Sequence, residues 1–89
     1  PAKGSVREAL ARAYYRTGRY EAAEREFRAA VDIDPVNDYA LFGLALCRLK
    51  AGEKVAARGH LRQAIVMRPD NDDYARVLAA ADDAGGAHA

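Results

Sequence analysis

Residues 10–35, LARAYYRTGRYEAAEREFRAAVDIDP, and residues 44–69, LALCRLKAGEKVAARGHLRQAIVMRP, decide how this chain folds. Laid over one another at an offset of 34, they share Leu10/Leu44, Ala11/Ala45, Gly18/Gly52, Ala22/Ala56, Ala23/Ala57, Arg28/Arg62, Ala30/Ala64 and Pro35/Pro69. Bulky Phe27 falls on Leu61, Val31 on Ile65, Ile33 on Met67, and just beyond the quoted stretch Asn37 falls on Asn71. A fixed period of this length marks a duplicated supersecondary unit, whose copies bury their apolar flanks on one another.

The spacing inside each copy is helical. Tyr14 lies four residues after Leu10 and three after Ala11, so the three share one face; Ala23, Phe27 and Ala30, four and three apart, do the same further on. Gly18 and Gly52 suit the left-handed turn that ends a helix. Pro35 and Pro69 disfavour helical geometry at the residue before them and close the second helix of each pair. The pattern therefore predicts helices from Ser5 to near Thr17, and over about 20–33, 39–50, 54–67 and 72–83. Ser5 and Glu8 read as a capping box for the first. Asn37 or Asp38 caps the third, and Asn71 or Asp72 the last. Gly59, inside the fourth helix, has two readings: a tolerant surface position, or a close approach by a neighbour.

The pattern resembles the tetratricopeptide repeat, a helix–turn–helix unit. The first copy supplies Leu10, Ala11, Tyr14, Ala23, Phe27, Ala30 and Pro35 at that family's offsets, with Arg7 at its first apolar position. The second supplies Leu41, Leu44, Ala45, Ala57, Leu61, Ala64 and Pro69, with Arg48 in place of the Tyr. Leu78 and Ala79 begin a third, partial copy. The resemblance implies an all-α, right-handed array of helical hairpins with five helices. A disordered lead over 1–4 precedes unit one (5–37) and unit two (38–71); a capping helix (72–83) and a disordered tail (84–89), opened by Gly85 and Gly86, follow. The outer flank formed by Leu61, Ile65 and Val66 is expected to be closed by Ala75, Leu78 and Ala79.

The chain of 89 residues makes one small domain with little stability to spare. Its 14 Lys and Arg against 13 Asp and Glu are interspersed, without the one-sided excess of a nucleic-acid binder. No apolar run is long enough to span a membrane, and no signal segment opens the chain. A single cysteine, Cys47, excludes an internal disulfide and points to a reducing compartment, the cytoplasm. The preference for Arg over Lys, with abundant Ala, is compatible with a GC-rich bacterial genome. Beginning at Pro1, the chain is expected to be processed or a fragment.

Catalytic readings are weak. Cys47 lies among Leu44, Leu46 and Leu49, where a thiol behaves as a small hydrophobe, and nothing directs His60 towards it. With His60 and His88 the only histidines, no ligand spacing for a metal exists, so neither a metal nor a cofactor is expected. Gly85–Gly86 is followed by neither Lys nor helix and makes no phosphate loop.

The resemblance implies instead a concave groove lined by the first helix of each hairpin, which holds a partner's peptide or helix. In the second unit Leu41, Leu44 and Ala45 account for the buried face, yet Phe42, Leu46 and Leu49 form another, making this helix apolar nearly all round. Such a helix is expected to be covered on all sides. The cover is the closing helix through Val77 and Ala80, a second copy in a homodimer, or a separate protein. The expected contact residues are Arg12, Tyr15, Arg16, Tyr39, Phe42, Leu46, Leu49 and Lys50, with the three cations favouring an acidic flank on the ligand. Family members that grip chaperone tails use Lys and Asn where this chain has Glu8, Arg12 and Gly43, so that ligand is not expected.

Overall fold

The computed structural model describes the backbone of residues 2–86 and the side chains of residues 6–82. Within these bounds it holds five helices and no strand: α1 Ala2–Arg16, α2 Tyr20–Ile33, α3 Asp38–Lys50, α4 Lys54–Met67 and α5 Asp72–Gly86. α1 pairs with α2 and α3 with α4 as antiparallel hairpins; α2 packs on α3, and α5 lies on α4.

The hairpins turn where the glycines stand. Gly18 and Gly52 both have φ of 80°, a region that costs a residue with a Cβ but not glycine. Ahead of α3, Asn37 Oδ1 accepts from the Ala40 amide at 3.0 Å, so Asn37 rather than Asp38 is the cap. Asn71 repeats the device one period later, its Oδ1 accepting from the Asp73 amide at 2.9 Å.

Two ends differ from expectation. α1 runs from Ala2, taking in residues expected as a lead, since neither Ala2 nor Lys3 resists helical geometry. Ser5 is thus inside the helix rather than at its cap. Glu8 accepts from Asn37 Nδ2 at 2.7 Å, tying the first hairpin to the loop before the second. α5 continues through Gly85 to Gly86, past the expected end at 83. Pro1 and the tail residues 87–89, with His88, lie outside the described residues.

The core is built from small residues and a few large ones. Ala11, Ala23, Phe27, Ala30, Ala40, Leu44 and Cys47 form one cluster between α1, α2 and α3. Leu41, Ala64 and Tyr74 form a second, and Ala45, Ala57 and Leu61 a third. Alanines on facing helices allow close approach, and Phe27 and Leu61 fill equivalent positions in the two units. Arg48, where the first unit has Tyr14, packs as an ion: its guanidinium reaches Glu24 on α2 at 2.8 Å and Glu53 at 2.6 Å.

The closing helix is in a different phase from the one expected. Ala75 and Ala79 are exposed, as is Ala80. Leu78 faces inward as expected, and Tyr74, Val77 and Ala81, at helical spacing with it, take the places of the two alanines. The aromatic sets the phase, because burying a Tyr ring removes far more apolar surface from water than burying a methyl group. Val66 is also exposed, leaving Leu61 and Ile65 to meet α5 from α4. Leu10, expected on a buried face, is 39% exposed, whereas its counterpart Leu44 is 2% exposed. Leu44 has α2 of the preceding hairpin beside it; among the described residues no helix stands in that place beside α1.

Gly59 has open space where a Cβ would go, so the tolerant-surface reading applies. The close approach is at Gly43. A Cβ there would fall inside the van der Waals envelope of the Phe27 ring, at Cδ1, Cε1 and Cζ.

Candidate functional site

α1 and α3 lie with α2 behind them, and a hollow of about 230 Å³ opens between them. Arg12, Tyr15 and Arg16 line it from α1, Phe27 from α2, and Tyr39, Phe42, Gly43 and Leu46 from α3. Its floor exists because residue 43 has no side chain: the Phe27 ring reaches through to the hollow and meets Tyr39 edge-on, with ring centroids 6.1 Å apart. One wall is Phe42, whose other side rests on Tyr74 of α5, with centroids 4.7 Å apart and planes tilted by 35°. The Tyr74 hydroxyl in turn donates to Asp38 Oδ2 at 2.6 Å. α5 therefore covers part of the second face of α3 and leaves the rest open.

Six of the eight residues expected at the contact surface meet around this hollow: Arg12, Tyr15, Arg16, Tyr39, Phe42 and Leu46. Two do not line it. Leu49 packs with Val77 and Leu78 against Ala45, Ala57 and Leu61. Lys50 sits 5.5 Å from the centroid of the Tyr20 ring, and Tyr20 meets Tyr15 edge-on at 5.1 Å, so Lys50 borders the hollow at one remove. Tyr15 is half-buried; burial raises its phenol above the ordinary range, against the opposing pull of Lys50. Phe27 and Tyr74 were legible only as core and as an ordinary helix residue. Gly43 stood at a groove position that the resemblance implies; its role was legible too, since a glycine within an apolar helix costs about 1 kcal/mol relative to Ala and marks a place where something comes close.

The charges around the hollow are unevenly committed. Glu8 is held by Asn37, and Asp38 by Tyr74 and, at 3.4 Å, by Arg68. Arg12 lies over Tyr39, 5.9 Å from the ring centroid. Among the described residues neither Arg12 nor Arg16 forms an ion pair.

Nucleophile chemistry has little support in this geometry. Cys47 is buried, and burial, with the Glu24 carboxylate nearby, pushes its thiol up to about 11. No hydrogen bond joins it to His60, whose imidazole is lowered by burial and lies beside Gln63 on its own helix. The thiolate is the reactive form. Folded protein at pH 8 is expected to be alkylated by iodoacetamide roughly a hundredfold more slowly than protein unfolded in urea, as followed by mass spectrometry. Among the described residues no group of three or more His, Cys, Asp or Glu side chains could hold a metal ion.

The tetratricopeptide repeat model matches residues 8–72, more than half of the chain and both hairpins. The chain belongs to the tetratricopeptide repeat family. No curated protein matches it by sequence. Among solved structures, it is similar to the first tetratricopeptide domain of Spaghetti (RPAP3) bound to the HSP90 peptide SRMEEVD. That match has 19% identity and a TM-score of 0.85, covering 89% of this chain and 63% of that one. It is also similar to the type III secretion chaperone SycD of Yersinia enterocolitica in complex with a peptide of the translocator YopD. Here identity is 24% and the TM-score 0.87, covering 92% of this chain and 63% of that one. The chain thus spans under two thirds of the length of either structure, and at these identities the likeness is one of fold. The family's hairpin geometry is what places α1 and α3 on one side, with the hollow between them.

Proposed function

We propose that this tetratricopeptide protein is a non-catalytic interaction module that seats an apolar side chain of a partner protein in the hollow between α1 and α3. The observation that carries the reading is that Phe42 and Leu46 are left only partly covered with α5 already docked. Partly open apolar surface rimmed by polar groups is the usual mark of a docking site. Peptides bound to the RPAP3 and SycD structures support a peptide or helix as the ligand class. Glu8 and Gly43 stand where chaperone-tail binders carry cationic and amide groups, which argues for a different segment. A reducing compartment such as the cytoplasm, and a partner that is neither nucleic acid nor membrane, belong to the same reading. Among the described residues, no helix is long and apolar enough to cross a membrane.

Leu46→Glu is the cleaner test, because Phe42 also supports Tyr74. It is expected to weaken binding of a captured partner peptide by about ten- to a hundredfold, with unchanged far-UV circular dichroism. Unfolding of Leu46→Glu would mean that this side chain belongs to the core, and unchanged affinity would mean that the ligand sits elsewhere.

A second reading, self-association or packing within a longer array, is favoured by the open flank of α1, where Val6 and Leu10 are exposed. Sedimentation equilibrium over a wide concentration range is expected to show a mass that grows with concentration if copies pair. A constant monomer mass removes the homodimer.

A further inference from the structure

We infer that the exposed face of α4 is a second docking surface, along which an acidic amphipathic helix of a partner protein lies over Val55, Gly59, Arg62 and Val66. No residue of α4 lines the hollow, so this surface is independent of the one between α1 and α3.

The two copies of the unit disagree on this face. At the offset of 34, Val55, Gly59, Arg62 and Val66 stand where α2 carries Glu21, Arg25, Arg28 and Asp32. All eight positions are exposed. The fold gives both rows the same place, yet only the row on α2 is furnished for water. On α4 three of the four charges are gone. Val55 and Val66, at 77% and 80%, are the most exposed large apolar side chains among the described residues. A single exposed valine is ordinary, but a charged row replaced position by position is a changed surface.

The spacing gives the shape of the occupant. Intervals of four, three and four residues are those of a coiled-coil seam, and they keep the four positions on one line of the helix. The line from Val55 to Val66 is about 16 Å long, three turns of a straight helix. Halfway along it, a Cβ at Gly59 would meet nothing within 4 Å. Within the chain that glycine is only tolerated; under a second helix it is a hole that takes a bulky apolar knob.

The charge gives its sign. α4 holds Lys54, Arg58 and Arg62 and no carboxylate. Arg58 meets Asp82 of α5 at 3.5 Å, whereas Lys54 and Arg62 form no ion pair among the described residues. An Asp or Glu of the partner opposite Arg62 completes the line, its carboxylate matching the planar guanidinium fork. A second copy of this helix would bring three more cations and no acid, and like charges facing across an interface are costly. A lipid surface is the poorer fit as well, since the line offers no Trp, Phe or Leu to insert.

The test uses the whole 89-residue chain and a phage-displayed library of helices about four heptads long, with seam and flanking positions randomised among apolar, acidic and basic residues. Enriched helices are resynthesised and titrated by fluorescence anisotropy. They are expected to carry a bulky apolar residue in the seam and more Asp and Glu than Lys and Arg. Val55→Glu/Gly59→Arg/Val66→Asp gives α4 the residues of α2; it is expected to keep the parent's circular dichroism and to bind at least about tenfold more weakly. Arg62→Glu is expected to lose as much at low salt and less at high salt. Leu46→Glu should bind these helices as the parent does. A library yielding no enriched helix, a basic excess, or equal affinity for the triple variant would overturn the inference. Unfolding of the triple variant would do the same, because the face would then belong to the core. Helices that need Leu46 would lie at the hollow and overturn this assignment alone. Binding to phosphatidylserine vesicles that the triple variant loses would assign the face to a lipid surface instead. A sedimentation mass that rises with concentration in the parent but not in the triple variant would assign it to a second copy, and either result overturns the acidic helix.

Discussion

Gly43→Ala is expected to destabilise the domain by about 2 kcal/mol, even though an alanine inside a helix is ordinarily a gain. The new methyl group would collide with three atoms of the Phe27 ring, which is itself buried among Ala23, Ala30 and Leu44. Phe27 cannot withdraw without displacing that cluster, so α3 must move off α2 or the ring must swing into the hollow. For a domain of this size the cost corresponds to a melting temperature lower by about 8–16 °C. Gly43→Val should not fold. Gly59→Ala is the control: with open space around it, the same replacement should stabilise by about 1 kcal/mol. Thermal melts of the pair, followed by circular dichroism, check both signs. A Gly43→Ala variant as stable as the parent would show that α2 and α3 are not in close contact at that point. Phe27→Leu in the Gly43→Ala background should recover part of the loss if the ring is the obstacle.

Tyr74→Ala is expected to cost about 3–5 kcal/mol, a large share of the 5–15 kcal/mol typical of a whole domain. Tyr74 is 3% exposed, packs with Leu41 and Ala64, stacks on Phe42 and bonds Asp38 through its hydroxyl. Removing the ring takes away the main anchor by which α5 is held. Faster hydrogen exchange along α5 than in α2 and α3, together with a lower urea midpoint, is the expected signature. Tyr74→Phe keeps the ring and should cost about 1–1.5 kcal/mol, since it removes only one hydrogen bond. The parent and Tyr74→Phe also differ in alkali. Burial first, and then the Asp38 hydrogen bond, hold the Tyr74 phenol well above its ordinary value near 10. The folded state therefore keeps a proton that the unfolded chain releases. That contribution is complete below pH 10 and is lost as pH rises from there. Tyr74→Phe should flatten the alkaline fall in stability, and an unchanged fall would place its cause in other residues.

Much of this architecture was legible from the residues because it rests on local rules. Gly18 and Gly52 turn the chain, Asn37 and Asn71 cap helices, and the run from Tyr20 to Ile33 has a helical apolar face. Each acts within a few positions of itself, and the offset of 34 showed that they act twice. The six lining residues were reachable through the resemblance, which implies a groove lined by the first helix of each hairpin; periodicity adds only which side chains of those helices share a face.

The misses share a cause as well. Ala75 and Ala79 were assigned to the closing contact by extending the repeat into α5, but among the described residues no helix pairs with α5 as α4 pairs with α3. The large ring of Tyr74 then sets the rotation. Leu49 was counted with Phe42 and Leu46 because all three share a face of α3, although that face is divided between α5 and the hollow. Glu8 was read as capping its own helix and instead reaches Asn37, 29 positions on.

The order of residues by itself determined two matching helical hairpins and their turns, since spacing, glycine and proline act over short stretches of chain. Tertiary packing alone decided that Phe27 shows through at Gly43, that Tyr74 rather than Ala75 or Ala79 faces inward from α5, and that Arg12 and Arg16 remain without an ion pair among the described residues. Those outcomes depend on which atoms meet across distant helices, and on how much apolar surface each meeting removes from water, quantities that no local pattern contains.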